Sequence, residues 1–190
     1  MKKFLLLITV IVLTFTGCTV ESDSVKTEMQ EKYGVNKKIT TEYTEAFSAA
    51  CNNGIFVGTA EGDVISFKGV PYAEQPVGEL RWKAPVTAED SSDIYEAYYY
   101  GKSPIQSEWV SEVGSYYEQG EDCLYLNIWT NSKNTSTDKT VMVFFHGGSY
   151  GWGGTSDPIY DGHNFVEKFD DIILVTVGYR TGIMLSLIHI

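Results

Sequence analysis

The residues whose types and spacing could do chemistry lie in HGGSYGWGGTSDP, residues 146–158. Gly147, Ser149 and Gly151 spell G-x-S-x-G, the spacing that lifts a serine hydroxyl above a sheet on a sharp strand-to-helix turn. The strand half of such a turn is present in TVMVFF, residues 140–145. The helix half is not. Trp152-Gly153-Gly154-Thr155-Ser156-Asp157-Pro158 is glycine-rich, ends in proline and cannot form a helix's first turns. On this reading Ser149 is not a nucleophile. Glycines after a buried strand suit another task, leaving backbone N–H groups free to converge on the negative oxygen of a tetrahedral acyl intermediate. Losing one such donor costs about 3 to 4 kcal/mol in the transition state. A loop that merely turns the chain is the alternative that these residues alone leave open.

The elements that must position this loop are legible as hydrophobic runs. TVMVFF and IILVTV, residues 172–177, are continuous and suit strands buried on both faces of a parallel or mixed sheet. Between them DGHNFVEKFD places Phe165, Val166 and Phe169 at helical spacing. CLYLNIWT, residues 123–130, reads as a strand. GIFVGTA and DVISFKG, split by Glu61-Gly62, predict a hairpin near residues 54–69. VPYAEQPVGELRWKAP carries three prolines and reads as an ordered loop. The tyrosine-rich stretch from Glu96 to Gly120 reads as irregular. The order of hairpin, strands, glycine loop, helix and strand is that of an α/β fold.

The flanks differ from this body. Lys2 and Lys3 followed by an apolar run from Phe4 to Phe15 predict an export signal over residues 1–17. The run is too short to span a membrane, which takes roughly 20 apolar residues. Phe15-Thr16-Gly17-Cys18 resembles a lipobox, with Phe15 where that motif prefers Leu, and makes Cys18 the expected lipidation site and the chain's contact with a membrane. Residues 18–49 are polar and read as a tether, with a short helix near Val25–Lys32 as the alternative; the domain is expected over residues 50–184. The net charge of −11 argues against nucleic-acid binding and against electrostatic docking on an anionic bilayer. No His, Cys and carboxylate spacing indicates a metal site, and no cofactor is implied. Cys51 and Cys123 are expected as free thiols, although an exported pair has the option of a disulfide.

Three separated blocks carry a family resemblance. FKGVPYAEQPVGELRWKAP (67–85), EDCLYLNIW (121–129) and HGGSYGWGGTSDPIYDG (146–162) followed by VTVGYRTG (175–182) resemble the type-B carboxylesterases, the cholinesterase-like branch of the α/β-hydrolases. The resemblance implies the N-terminal part of an α/β-hydrolase fold, a hairpin plus the first strands of the central mixed sheet. It implies a carboxylic-ester hydrolase acting on a small-molecule ester. It assigns the oxyanion donors to the backbone N–H groups of Gly148 and Ser149, with Gly147 in support. Ser149 stands where most relatives have glycine. Arg81 and Glu121 correspond to a buried structural ion pair and Arg180 to a structural arginine. Cys123 corresponds to a cysteine that often bonds to an upstream partner, which GKSPIQS lacks. His146 is expected to be structural and His163 to lie on the surface. Tyr150 and Trp152 are candidates to line the substrate gorge, with ordinary packing as the alternative.

Family members are far longer than this chain. Nucleophile, acid and base are expected beyond it, so the 190 residues alone are expected to be inactive. LSLIHI, residues 185–190, does not resemble the family and reads as a translated sequencing adapter, so His189 is not a catalytic candidate. The runner-up reading is a non-catalytic cholinesterase-like binding or adhesion lipoprotein, because fold alone does not fix function.

Overall fold

The structure, a computed structural model, describes residues 34–106, 118–136 and 138–184. The export signal, Cys18, the helix near 25–32 and the 185–190 tail lie outside the described residues. In chain order the strands are β1 (Ser48–Cys51), β2 (Gly54–Val57), β3 (Thr59–Glu61), β4 (Val64–Pro71), β5 (Ile94–Glu96), β6 (Ser103–Pro104), β7 (Gln119–Gly120), β8 (Tyr125–Asn131), β9 (Thr140–Phe145) and β10 (Ile172–Val177). Helix α1 (His163–Lys168) lies between the last two. The main sheet runs β3-β4-β8-β10-β9, and a smaller one runs β1-β2-β5. β9 and β10 are parallel, joined across α1, while β4, β8 and β10 pair antiparallel. The sheet is therefore mixed, one of the two arrangements the continuous runs allow and the one the resemblance implies.

Strand β8 is the sheet's interior. Asn127, Trp129 and Asn131 alternate onto one buried face. Trp129 packs with Val64, Val166 of α1 and Leu174. Asn127 is fully buried and uses both ends of its amide, accepting from Gly69 N–H at 2.9 Å and donating to Thr176 Oγ1 at 3.0 Å. Gly69, at φ 67°, lies where the β4–β8 register shifts between Phe67 and Val70. The N–H freed by that bulge is the one Asn127 takes up. On the opposite face Phe56, Phe67, Val70 and Ala97 join the two sheets.

Three expectations change. The hairpin at Glu61-Gly62 forms as β3–β4, but GIFVGTA divides between the two sheets at Gly58. A Cβ there would lie 2.4 Å from Ser66 O, so only glycine lets the chain cross at that distance. The polar stretch read as a tether is docked on the fold from Asn36 onward. Asn36 Oδ1 accepts from Tyr98 and Tyr99 N–H, and its Nδ2 donates to Lys68 O and Tyr99 O. Lys38 then bridges Tyr95 on the open edge of β5 and pairs with Asp93 at 2.7 Å.

The third departure is the largest. TVMVFF forms the expected strand, but all six residues are exposed among the described residues, Phe145 by 63%. β9 is an edge strand, and α1 packs over β4, β8 and β10 instead. A continuous apolar edge is a template for pairing with other chains. The purified 190-residue chain is therefore expected to self-associate with rising concentration, and Val143→Lys to shift it toward monomer in sedimentation. Identical profiles for both proteins would show that β9 is not the sticky edge.

Candidate functional site

β9 delivers the chain to His146, and burial begins again there. His146 is 3% exposed and stacks on Tyr179 at 4.3 Å with 12° between the rings. The Tyr179 hydroxyl donates to the His146 main-chain oxygen at 2.5 Å. His146 Nδ1 lies 2.9 Å from Gly147 O. A carbonyl only accepts, so Nδ1 carries the proton. Burial pushes the imidazole's pKa below its ordinary 6.5, against smaller opposing effects of the Gly147 carbonyl and Asp157. His146 is thus a neutral, buried anchor, in keeping with its expected structural role. Its Nε2 has no partner among the described residues.

The loop then takes three consecutive positive φ angles: Gly148 at 121°, Ser149 at 51° and Tyr150 at 61°. A Cβ on Gly148 would lie 2.0 Å from Trp152 O, which requires glycine there. The two non-glycine residues each cost on the order of 1–3 kcal/mol of backbone strain. Gly148 O turns into the loop and accepts from the N–H groups of Gly151 (2.9 Å) and Trp152 (3.2 Å). Among the described residues the amides of Gly148 and Ser149 donate to no acceptor. Adjacent main-chain N–H groups without internal acceptors are available to solvent or to an acceptor brought to the loop.

The Ser149 hydroxyl also has no hydrogen-bond partner among the described residues. No helix follows it: residues 150–157 run through turns and bends, a short 3₁₀ turn spans Pro158–Tyr160, and α1 starts only at His163. The strand-to-helix turn that a G-x-S-x-G nucleophile requires is absent here.

Two further ties hold the loop. Gly182 N–H donates to Tyr150 O at 2.7 Å, and Gly153 N–H donates to Gln106 Oε1 at 2.7 Å. Sequence reasoning singled out neither Tyr179 nor Gln106. Gln106 stands in the stretch read as irregular, where no periodicity marks one polar side chain over another. Tyr150 is exposed and Trp152 half-buried beside the loop.

The remaining candidates lie apart from the loop. Arg81 Nε meets both Glu121 oxygens, at 2.8 and 2.9 Å. The pair forms as expected but is not buried: the side chains are 42% and 21% exposed. Solvent screening leaves such a pair about 1 kcal/mol or less. Arg180 is buried and donates to Lys83 O at 2.9 Å. Cys51 and Cys123 are free thiols; Cys51 is exposed, and burial pushes the Cys123 thiol up to about 12. His163 is half-buried, 3.9 Å from Glu61.

Two measurements check these assignments. Glu121→Gln is expected to cost about 1 kcal/mol or less in urea unfolding; a loss of several would show that the pair is effectively buried. His146 releases its proton more readily folded than unfolded. Its contribution to stability is therefore present above pH 6.5 and lost as pH falls through the lower folded value. His146→Gln is expected to flatten the decline in stability as pH falls below 6.5. Parallel curves for the two proteins would show that His146 does not titrate there.

Comparison with known proteins agrees with this architecture. The family model described as "Carboxylesterase family" matches residues 23–185. A para-nitrobenzyl esterase of Bacillus subtilis (strain 168) is 40% identical over 151 residues, 76% of this chain and 27% of that protein. A fumonisin B1 esterase of Sphingopyxis macrogoltabida is 35% identical over 129 residues, 68% of this chain and 24% of that protein. Among solved structures, a thermophilic PNB esterase superposes with a TM-score of 0.67 at 36% identity, covering 71% of this chain and 28% of that one. The chain thus spans about a quarter of the length of these relatives. Its mixed sheet, with α1 crossing between parallel β9 and β10, is part of an α/β-hydrolase fold, and the chain belongs to the carboxylesterase family.

Proposed function

We propose that these residues are the N-terminal part of a serine-type carboxylic-ester hydrolase, and that the amides of Gly148 and Ser149, with Gly147 in support, form its oxyanion hole. The carrying observation is the run of three positive φ angles, which turns the Gly148 carbonyl inward and leaves both amides without acceptors. In ester hydrolysis a nucleophile adds to the carbonyl carbon, and the oxygen takes up negative charge. Two preorganised N–H donors stabilise that charge without having to reorient, which is where most of their value lies. Ser149 contributes its main-chain N–H, and its hydroxyl takes no part. The nucleophile, acid and base come from sequence beyond residue 184, and the 190-residue chain alone has no turnover. The short coverage of the relatives named above and the apolar strand β9, exposed among the described residues, both support this reading. The leader sequence and Cys18 support export and lipid anchoring; Cys18→Ala is then expected to release the protein from the membrane fraction.

The test uses the source gene's reading frame continued past codon 184, assayed with a short-chain p-nitrophenyl ester. The longer protein is expected to turn over, and Ser149→Gly is expected to keep kcat within a few-fold. Glycine at that φ also relieves strain, worth about 1 kcal/mol in stability. A collapse of kcat by about 10⁴-fold or more in Ser149→Gly would make the hydroxyl the nucleophile and overturn the assignment. A longer protein that binds esters without hydrolysing them would favour a non-catalytic role.

A further inference from the structure

We infer that Gln106 is a positioning residue for the oxyanion loop, acting through Gly153 on the peptide that carries the Gly148 N–H. This inference rests on the oxyanion reading and extends it to a residue outside the loop.

The side-chain amide of Gln106 grips Gly153 at both polar groups. Its Oε1 accepts from Gly153 N–H at 2.7 Å, and its Nε2 donates to Gly153 O at 2.9 Å. The same Nε2 donates to Pro104 O at 3.0 Å, while the Gln106 main-chain N–H donates to Gln119 Oε1 at 2.9 Å. Gln106 is thereby fixed to the β6–β7 pair before it touches the loop. A carboxamide offers a donor and an acceptor in one plane, matching a peptide group.

Gly153 in turn lies against the start of the loop. At φ 105°, a Cβ on Gly153 would be 2.6 Å from His146 Nδ1 and 2.7 Å from Gly147 O. Gly147 O belongs to the same planar peptide as the Gly148 N–H. Its orientation therefore sets where that donor points. His146 Nδ1 holds Gly147 O from one side, and Gly153 packs against both groups. If Gly153 moves out, the Gly147–Gly148 peptide gains room to rotate and its N–H leaves the position it must keep. Tyr179 and Gly182 secure other points of the loop, but neither reaches this peptide's packing partner.

The experiment uses the longer protein, with kcat and KM normalised by active-site titration. Gln106→Ala is expected to lower kcat about 10- to 100-fold, the scale of a donor displaced by about 1 Å. KM is expected to stay within about three-fold, because the donor acts mainly on the transition state. Affinity for a trifluoromethyl ketone, whose adduct carries an oxyanion, is expected to fall by the same factor as kcat/KM. Gln106→Glu supplies a second variant with its own signature. A protonated Glu keeps one donor and one acceptor for Gly153 and gives up only the bond to Pro104 O, whereas the carboxylate repels Gly153 O. Its defect relative to wild type is therefore expected to be smaller at about pH 5.5 than at about pH 8. An unchanged kcat per titrated site in both variants, or activity lost only in proportion to the titrated fraction, would overturn the role of Gln106. Absence of esterase activity in the wild-type longer protein would instead overturn the oxyanion reading, and the role built on it.

Discussion

The parallel register of β9 on β10 sets Phe145 opposite Val177, and the loop geometry depends on that alignment. It carries His146 and Tyr179 out of the sheet side by side, so one ring stacks on the other and the tyrosine hydroxyl reaches the His146 carbonyl. A slip of one residue would turn every side chain of β9 to the other face and break the stack. The register is held from behind by β8, whose buried Asn127 and Trp129 tie β4 to β10 and seat α1. The glycine loop is thus an outgrowth of sheet pairing rather than a structure stable by itself.

That loop is strained, and the strain explains its many attachments. Ser149 and Tyr150 occupy a backbone region that disfavours side chains. Two glycines, 148 and 153, have no space for a Cβ because the loop folds back on His146 and Trp152. Ties at His146, Tyr150 and Gly153 offset the cost and come from two separate parts of the chain, the segment after β10 and Gln106. The carboxamide device at Gly153 recurs at Gln75, which exchanges hydrogen bonds with both main-chain groups of Leu124. In both places a glutamine does for irregular backbone what a neighbouring strand does in a sheet.

Much of this was legible in the sequence. The strands of the main sheet, α1, the mixed sheet and the ion pair of Arg81 with Glu121 follow from hydrophobic runs and three quoted blocks. The failure of G-x-S-x-G as a nucleophile turn follows from Trp152 to Pro158 alone. Other features depend on neighbours that no local pattern encodes. TVMVFF reads as doubly buried because its composition records the surroundings it is suited to, not those the described residues provide. Asn36 looks like linker until four hydrogen bonds to Lys68, Tyr98 and Tyr99 appear. Arg81 and Glu121 meet as expected, but no local pattern marks them as exposed rather than buried.

On the proposed function, the Gly148 and Ser149 amides receive the oxygen on which charge develops. A crystal structure of the longer protein inactivated by an organophosphonate tests this. The phosphonyl oxygen is expected at about 2.7–3.1 Å from both amide nitrogens, with the phosphorus bonded to a serine other than Ser149. Phosphorus on Ser149 Oγ, or an oxygen directed away from these two amides, would contradict it.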